Sequence, residues 1–99
     1  MGSSAPVLIY RRDLSSGDII HVVVWRLDGP LPGSSHCYKY RLHYQDAEGS
    51  DIIRYDNERG KGDHRHINGK EEAYRFETVK KLVLDFYGAI REMRKSGGI

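Results

Sequence analysis

Between His36 and Gln45 the chain changes character at every residue. Tyr38, Tyr40, Leu42 and Tyr44 fall on one side of an extended backbone, and Cys37, Lys39, Arg41 and His43 on the other. This period of two predicts a half-buried strand with an apolar face and a basic face, and hence an antiparallel sheet with one side packed. Two more strands precede it. Val7–Leu14 is rich in Val, Ile and Tyr and ends at the turn residues Ser15-Ser16-Gly17-Asp18. Ile19–Leu27 carries Val22, Val23, Val24 and Trp25 in succession without clean alternation, the pattern of a central strand covered on both faces. A single helix covers one face, which leaves the other for a second chain and makes a homodimer one expectation. The loop 28–35 holds two prolines and two glycines, and Asp46–Ser50 turns the chain into a fourth strand, 51–56.

Beyond that point the sheet pattern stops. Residues 57–70 show no apolar periodicity and read as a loop with at most a short extended piece at His64–Ile67, followed by a brief strand at Ala73–Phe76. Thr78 is a plausible N-cap. Val79, Leu82, Val83, Phe86, Ile90 and Met93 recur at helical spacing and form one apolar stripe, so 78–95 is a helix. Arg91, Arg94 and Lys95 complement its dipole, and Gly97-Gly98 ends it. The expected fold is α+β: a four- to five-stranded antiparallel sheet with one C-terminal helix packed on one face. The 99 residues form one domain with a modest core, and residues 1–6, small and polar, are expected to be disordered.

Composition narrows the function classes. Hydrophobic residues at 38% and charged residues at 30% describe a folded chain. A net charge of +2 permits contact with nucleic acid without demanding it. The single cysteine, Cys37, excludes an internal disulfide and fits a reducing compartment. No run approaches the roughly 20 apolar residues that span a membrane, and the N-terminus has no signal-peptide pattern. The expectation is a cytoplasmic protein without membrane contact.

The segment Tyr55-Asp-Asn-Glu-Arg-Gly-Lys-Gly-Asp-His-Arg-His66 is unlike the rest of the chain. It places Arg59, Lys61 and Arg65 beside Asp56, Glu58 and Asp63, then adds His64 and His66. Charges of both signs in so short a stretch are poor core material and good material for holding a phosphodiester and moving protons. Gly60 and Gly62 let the backbone turn sharply and bring amide groups near an anion.

This run, followed by Gly69, Glu72, Tyr74, Phe76, Leu82, Asp85 and Phe86, resembles the signature of the TumE family of prokaryotic toxins. Upstream, Trp25-Arg26, Pro32-Gly33-Ser34-Ser35-His36 and Tyr38-Lys39-Tyr40 are similar too, so the likeness covers roughly residues 7–90. It implies the toxin half of a type II toxin–antitoxin pair, held inactive by a small cognate antitoxin. It names a role and no reaction.

Three readings of the charged segment compete. In the first the chain is a metal-independent endoribonuclease: RNA supplies its own 2′-hydroxyl nucleophile, and the protein moves two protons and stabilises the phosphorane. His64 and His66, two residues apart, face the same side of an extended segment and transfer the protons, with Glu58 and Asp63 as orienting carboxylates. Arg59, Lys61 and Arg65 bind the phosphate, and the basic face carrying Lys39 and Arg41 tracks the RNA backbone. No cofactor is needed. In the second, His64-X-His66 binds a metal; the third ligand must come from His21, His36, His43 or Asp56, because Asp63 points the other way from His64. In the third, the segment is a binding surface for nucleic acid, antitoxin or another target, and its acid–base pairs are an ion-pair network. Trp25 is assigned to the core, Cys37 to an inert thiol and Tyr74 to packing beneath the helix. His43 becomes a neighbour of the segment only if the third and fourth strands pair.

Overall fold

The computed structural model describes residues 4–96. Six strands, β1 (Ser4–Asp13), β2 (Ile19–Leu27), β3 (Tyr38–Gln45), β4 (Asp51–Glu58), β5 (Gly62–Ile67) and β6 (Lys70–Ala73), precede one helix, α1 (Val79–Ser96). The strands lie in chain order in one antiparallel meander. The α+β class and the C-terminal helix agree with the sequence, but the sheet has six strands rather than four or five.

The extra strands come from the segment expected to be a loop. β5 pairs with β4 from Ile53↔Ile67 to Glu58↔Gly62, across a tight turn in which Gly60 and Gly62 adopt φ of 80° and 82°. Polar residues on both faces of β5 had hidden its period of two. The last strand is 70–73 rather than 73–76, because Asn68 and Gly69, at φ 54° and 82°, make the two-residue hairpin turn that Asn-Gly favours. Residues 4–6 are not disordered; they pair with the end of β2. The expectations for residues 1–3 and for Gly97-Gly98 lie outside the described residues.

β2 is not covered on both faces. Ile20, Val22 and Val24 are buried under the helix, while Ile19, His21, Val23 and Trp25 alternate with them on the opposite face and are only half-buried. Trp25 therefore lies outside the core. That core is one layer: Ile20, Val22, Val24, Tyr40, Leu42, Tyr44, Ile53 and Tyr55 from the sheet meet Leu82, Phe86 and Ile90 from α1. Side chains such as Leu82 and Phe86, removed completely from water, each contribute about 1.5–3 kcal/mol. The Thr78 hydroxyl caps the helix by accepting the Lys81 amide at 3.0 Å. Two tyrosines tie α1 to the sheet's ends: the hydroxyls of Tyr10 and Tyr87 lie 2.6 Å apart, and Tyr74 donates to Asp85 at 2.7 Å. Among the described residues no helix is long and apolar enough to cross a membrane.

Candidate functional site

One helix cannot cover both sides of a six-stranded sheet, so the second side is open. Cross-strand partners share a face, and the register builds a row on the open face that crosses all six strands. It runs Arg11↔His21, His21↔His43, His43↔Arg54, Arg54↔His66 and His66↔Glu71. At the spacing of about 4.8 Å between strands the row is about 24 Å long. A second row lies beside it: Val23↔Arg41, Arg41↔Asp56, Asp56↔His64 and His64↔Ala73. Lys39 pairs with Trp25 one step further along. β3 and β4 pair, so His43 is a neighbour of the charged segment.

The two rows converge on Asp56, His64 and His66. Asp56 and His64 are only 7% and 4% exposed, and the donor atoms of all three lie within 4.8 Å of one another. The imidazole rings of His64 and His66 have centroids 5.4 Å apart. His64 Nε2 stands 2.9 Å from Asp56 Oδ1, 3.7 Å from Glu71 Oε2 and 3.8 Å from Glu58 Oε1. His66 Nε2 is also 3.7 Å from Glu71 Oε2. Arg54 Nε approaches Asp56 Oδ2 at 3.3 Å, and Lys61 Nζ holds Glu71 at 2.9 Å. The salt-bridged Glu71 raises the Lys61 pKa, and Lys61 lowers that of Glu71. Burial holds His43 below the ordinary histidine range.

Five buried side-chain atoms among the described residues make no hydrogen bond: His43 Nδ1, Arg54 Nε, Asp56 Oδ1, His64 Nε2 and His66 Nε2. All five belong to the two open-face rows. Native interiors pair nearly all such groups, so a cluster of orphans calls for an explanation.

Not every residue singled out by sequence joins this cluster. Asp63 lies on the helix side, where Oδ2 accepts from the Tyr40 hydroxyl at 2.6 Å and contacts His36 Nε2 at 2.7 Å. His36 Nδ1 accepts the Tyr38 amide at 3.1 Å, and the ring stacks 4.0 Å from Phe76. Both nitrogens of His36 are thus engaged, and Asp63 fastens the loop before β3 to β5. Arg65 also faces the helix side, bonded to Glu72 at 2.6 Å and to the Tyr55 hydroxyl at 3.1 Å. Asp63 and Arg65 are one residue out of phase with the histidines, and a period of two sends them through the sheet. Arg59 is exposed at the β4–β5 turn. Lys39 and Arg41 are on the open face; Lys39 donates to the Asn57 carbonyl.

The two glycine-bearing motifs meet here. The Gly60 amide donates to the Pro32 carbonyl at 2.6 Å, and a Cβ on Gly33 would stand 3.1 Å from the Gly60 backbone. With Gly33 at φ 87°, glycine there is required twice over. The glycines serve loop-to-hairpin packing. Sequence reasoning missed Arg54 and Glu71 at the cluster and gave Asp56 only as one of four possible third ligands. The available signal was parity with His64 and His66 on paired strands, legible once β4, β5 and β6 are placed.

A six-stranded meander with one face under a helix and the other lined with imidazoles and charges defines a small α+β protein whose open sheet face carries its ionisable cluster. A family model described as Toxin TumE matches residues 5–94, and the chain belongs to this toxin family. No curated protein and no solved structure matches it.

Proposed function

We propose that this toxin acts on RNA, as a metal-independent endoribonuclease in a type II pair whose cognate antitoxin restrains it in the cytoplasm. The observation that carries the reading is the open face itself: two adjacent rows of imidazoles, guanidinium groups and carboxylates, with five buried atoms among the described residues that make no hydrogen bond. A phosphodiester laid along the rows meets cations from Arg41, Arg54 and Lys61, with Lys39 and Arg59 at the margins. His66, whose side chain is 26% exposed against 5% for His64, takes the proton of the 2′-hydroxyl. The 2′-oxygen bonds to phosphorus, the bond to the 5′-oxygen breaks, and His64, backed by Asp56 and Glu58, returns a proton to the leaving oxygen. The products are a 2′,3′-cyclic phosphate and a free 5′-hydroxyl. Asp63 and Arg65, on the far face, act only through the scaffold.

The test is induction of the wild type and of a His64→Ala, His66→Ala double variant, following growth and total RNA. Arrest with fragmented RNA in the wild type alone supports the reading. Equal arrest with intact RNA in both removes it. The ion pairs Lys61–Glu71 and Arg54–Asp56 favour one alternative, a toxin whose open face binds a target without cleaving it. That alternative predicts arrest by both proteins and RNA that stays whole.

A further inference from the structure

We infer that Asp56, His64 and His66 form a binding site for one divalent transition-metal ion of the zinc class. Two imidazoles and a carboxylate suit such an ion, which takes nitrogen donors and oxygen together. Each of the three residues offers a donor atom within 4.8 Å of the other two, and each carries a buried atom without a hydrogen bond at the centre of the open-face rows. A tetrahedral ion holds its donors about 3.3 Å apart, within reach of small side-chain rotations.

The surroundings are those of a ligand site. His64 Nδ1 lies 3.3 Å from the Gly62 carbonyl, which can only accept, so a hydrogen on Nδ1 would bond there and leave the Nε2 lone pair facing inward. That lone pair faces Asp56 Oδ1 at 2.9 Å without an aligned hydrogen bond. A cation between Nε2 and Oδ1 would relieve that close approach, and both residues are more than nine-tenths buried. Arg54 contacts the other oxygen, Asp56 Oδ2, leaving Oδ1 to the ion. Glu71 Oε2, 3.7 Å from both Nε2 atoms and held by Lys61, is placed to give a fourth donor from the solvent side.

The inference does not depend on RNA cleavage. If the metal-independent ribonuclease is correct, loading the ion occupies the ring nitrogens that move protons and suppresses cleavage. The experiment is calorimetric titration of the EDTA-treated full chain with ZnCl2, together with the visible spectrum on adding CoCl2. The expected result is one ion per chain, cobalt bands of nitrogen–oxygen ligation, and affinity lowered roughly tenfold or more in Asp56→Asn and His66→Ala. Cys37→Ser, tested to exclude the thiol, keeps wild-type affinity. Absence of saturable binding by the wild type overturns the site, as does binding unchanged by Asp56→Asn and His66→Ala. Cleavage by a wild type that binds no ion leaves the RNA reading standing without the metal, and binding without cleavage does the reverse.

Discussion

The two faces of the sheet are built from alternate residues of the same strands and solve opposite problems. On the helix side the buried polar groups are paired. Asn57, fully buried, accepts the Tyr40 amide at 2.9 Å and donates to the Tyr38 carbonyl at 2.7 Å, joining β3 to β4 beyond their last backbone pair, Arg41↔Asp56. Asp63, Tyr40 and His36 satisfy one another, and Tyr74 and Lys81 share Asp85. On the open side five buried atoms among the described residues make no hydrogen bond, although Arg54 Nε and His64 Nε2 lie within ion-pair distance of Asp56. Paired groups stabilise a fold, whereas unpaired ones cost stability and persist where a ligand or a reaction uses them. Under the proposed function, one face serves stability and the other the reaction.

The largest expected effect lies on the covered face. Phe86→Ala empties the centre of the single core layer and lowers stability by about 3–5 kcal/mol, to be read by denaturant unfolding. A loss below about 1 kcal/mol would break the division between the faces. On the open face, His66→Ala is expected to lower RNA cleavage by roughly 10²–10⁴-fold. Its effect on unfolding stays within about 1 kcal/mol, because the side chain is partly exposed and makes no hydrogen bond. Parallel loss of stability and activity would show that the two faces are not separable.

Asn57→Ala sharpens the contrast from a polar position. It strands the Tyr40 amide and the Tyr38 carbonyl, and a loss of about 2–3 kcal/mol is expected by thermal or chemical unfolding. The smallest effect concerns acid. Burial opposes the charge on Asp85, but the Tyr74 hydroxyl and the Lys81 ammonium prevail and hold its carboxyl below the ordinary aspartate range. A carboxyl lowered by folding stabilises the native state above its unfolded pKa, and that contribution disappears as pH falls through the folded value. Asp85→Asn should therefore flatten the acid side of the stability profile by about 1 kcal/mol or less, most of its charge being screened by water. An unchanged profile would remove Asp85 from the ties that hold the helix down.

Much of the covered face was legible residue by residue. Tyr38, Tyr40, Leu42 and Tyr44 announced one side of β3, and the stripe from Val79 to Met93 announced what packs on it. β5 and β6 were not legible in the same way, although Asn68-Gly69 was a hairpin signal in plain view. Grouping Asp63 and Arg65 with His64 and His66 follows from reading 57–70 as a loop with at most a short extended piece at His64–Ile67, although parity on such a piece already sets Asp63 opposite His64. Trp25 was assigned to the core because it ends an apolar run without alternation, although His21 marks the open face of the same strand. A run such as Val22-Val23-Val24-Trp25 has no polar residue to mark the open face.

By itself the sequence determined that one sheet face is buried, that a single helix buries it, and that ionisable residues concentrate between Tyr55 and His66. Local periodicity and composition are properties of neighbours along the chain and need no register. The tertiary structure alone decided that Asp56 joins His64 and His66 while Asp63 and Arg65 lie across the sheet. That outcome depends on strand register, set by the turns at Arg59–Lys61 and Asn68–Gly69, and with a period of two a slip of one residue would exchange the faces.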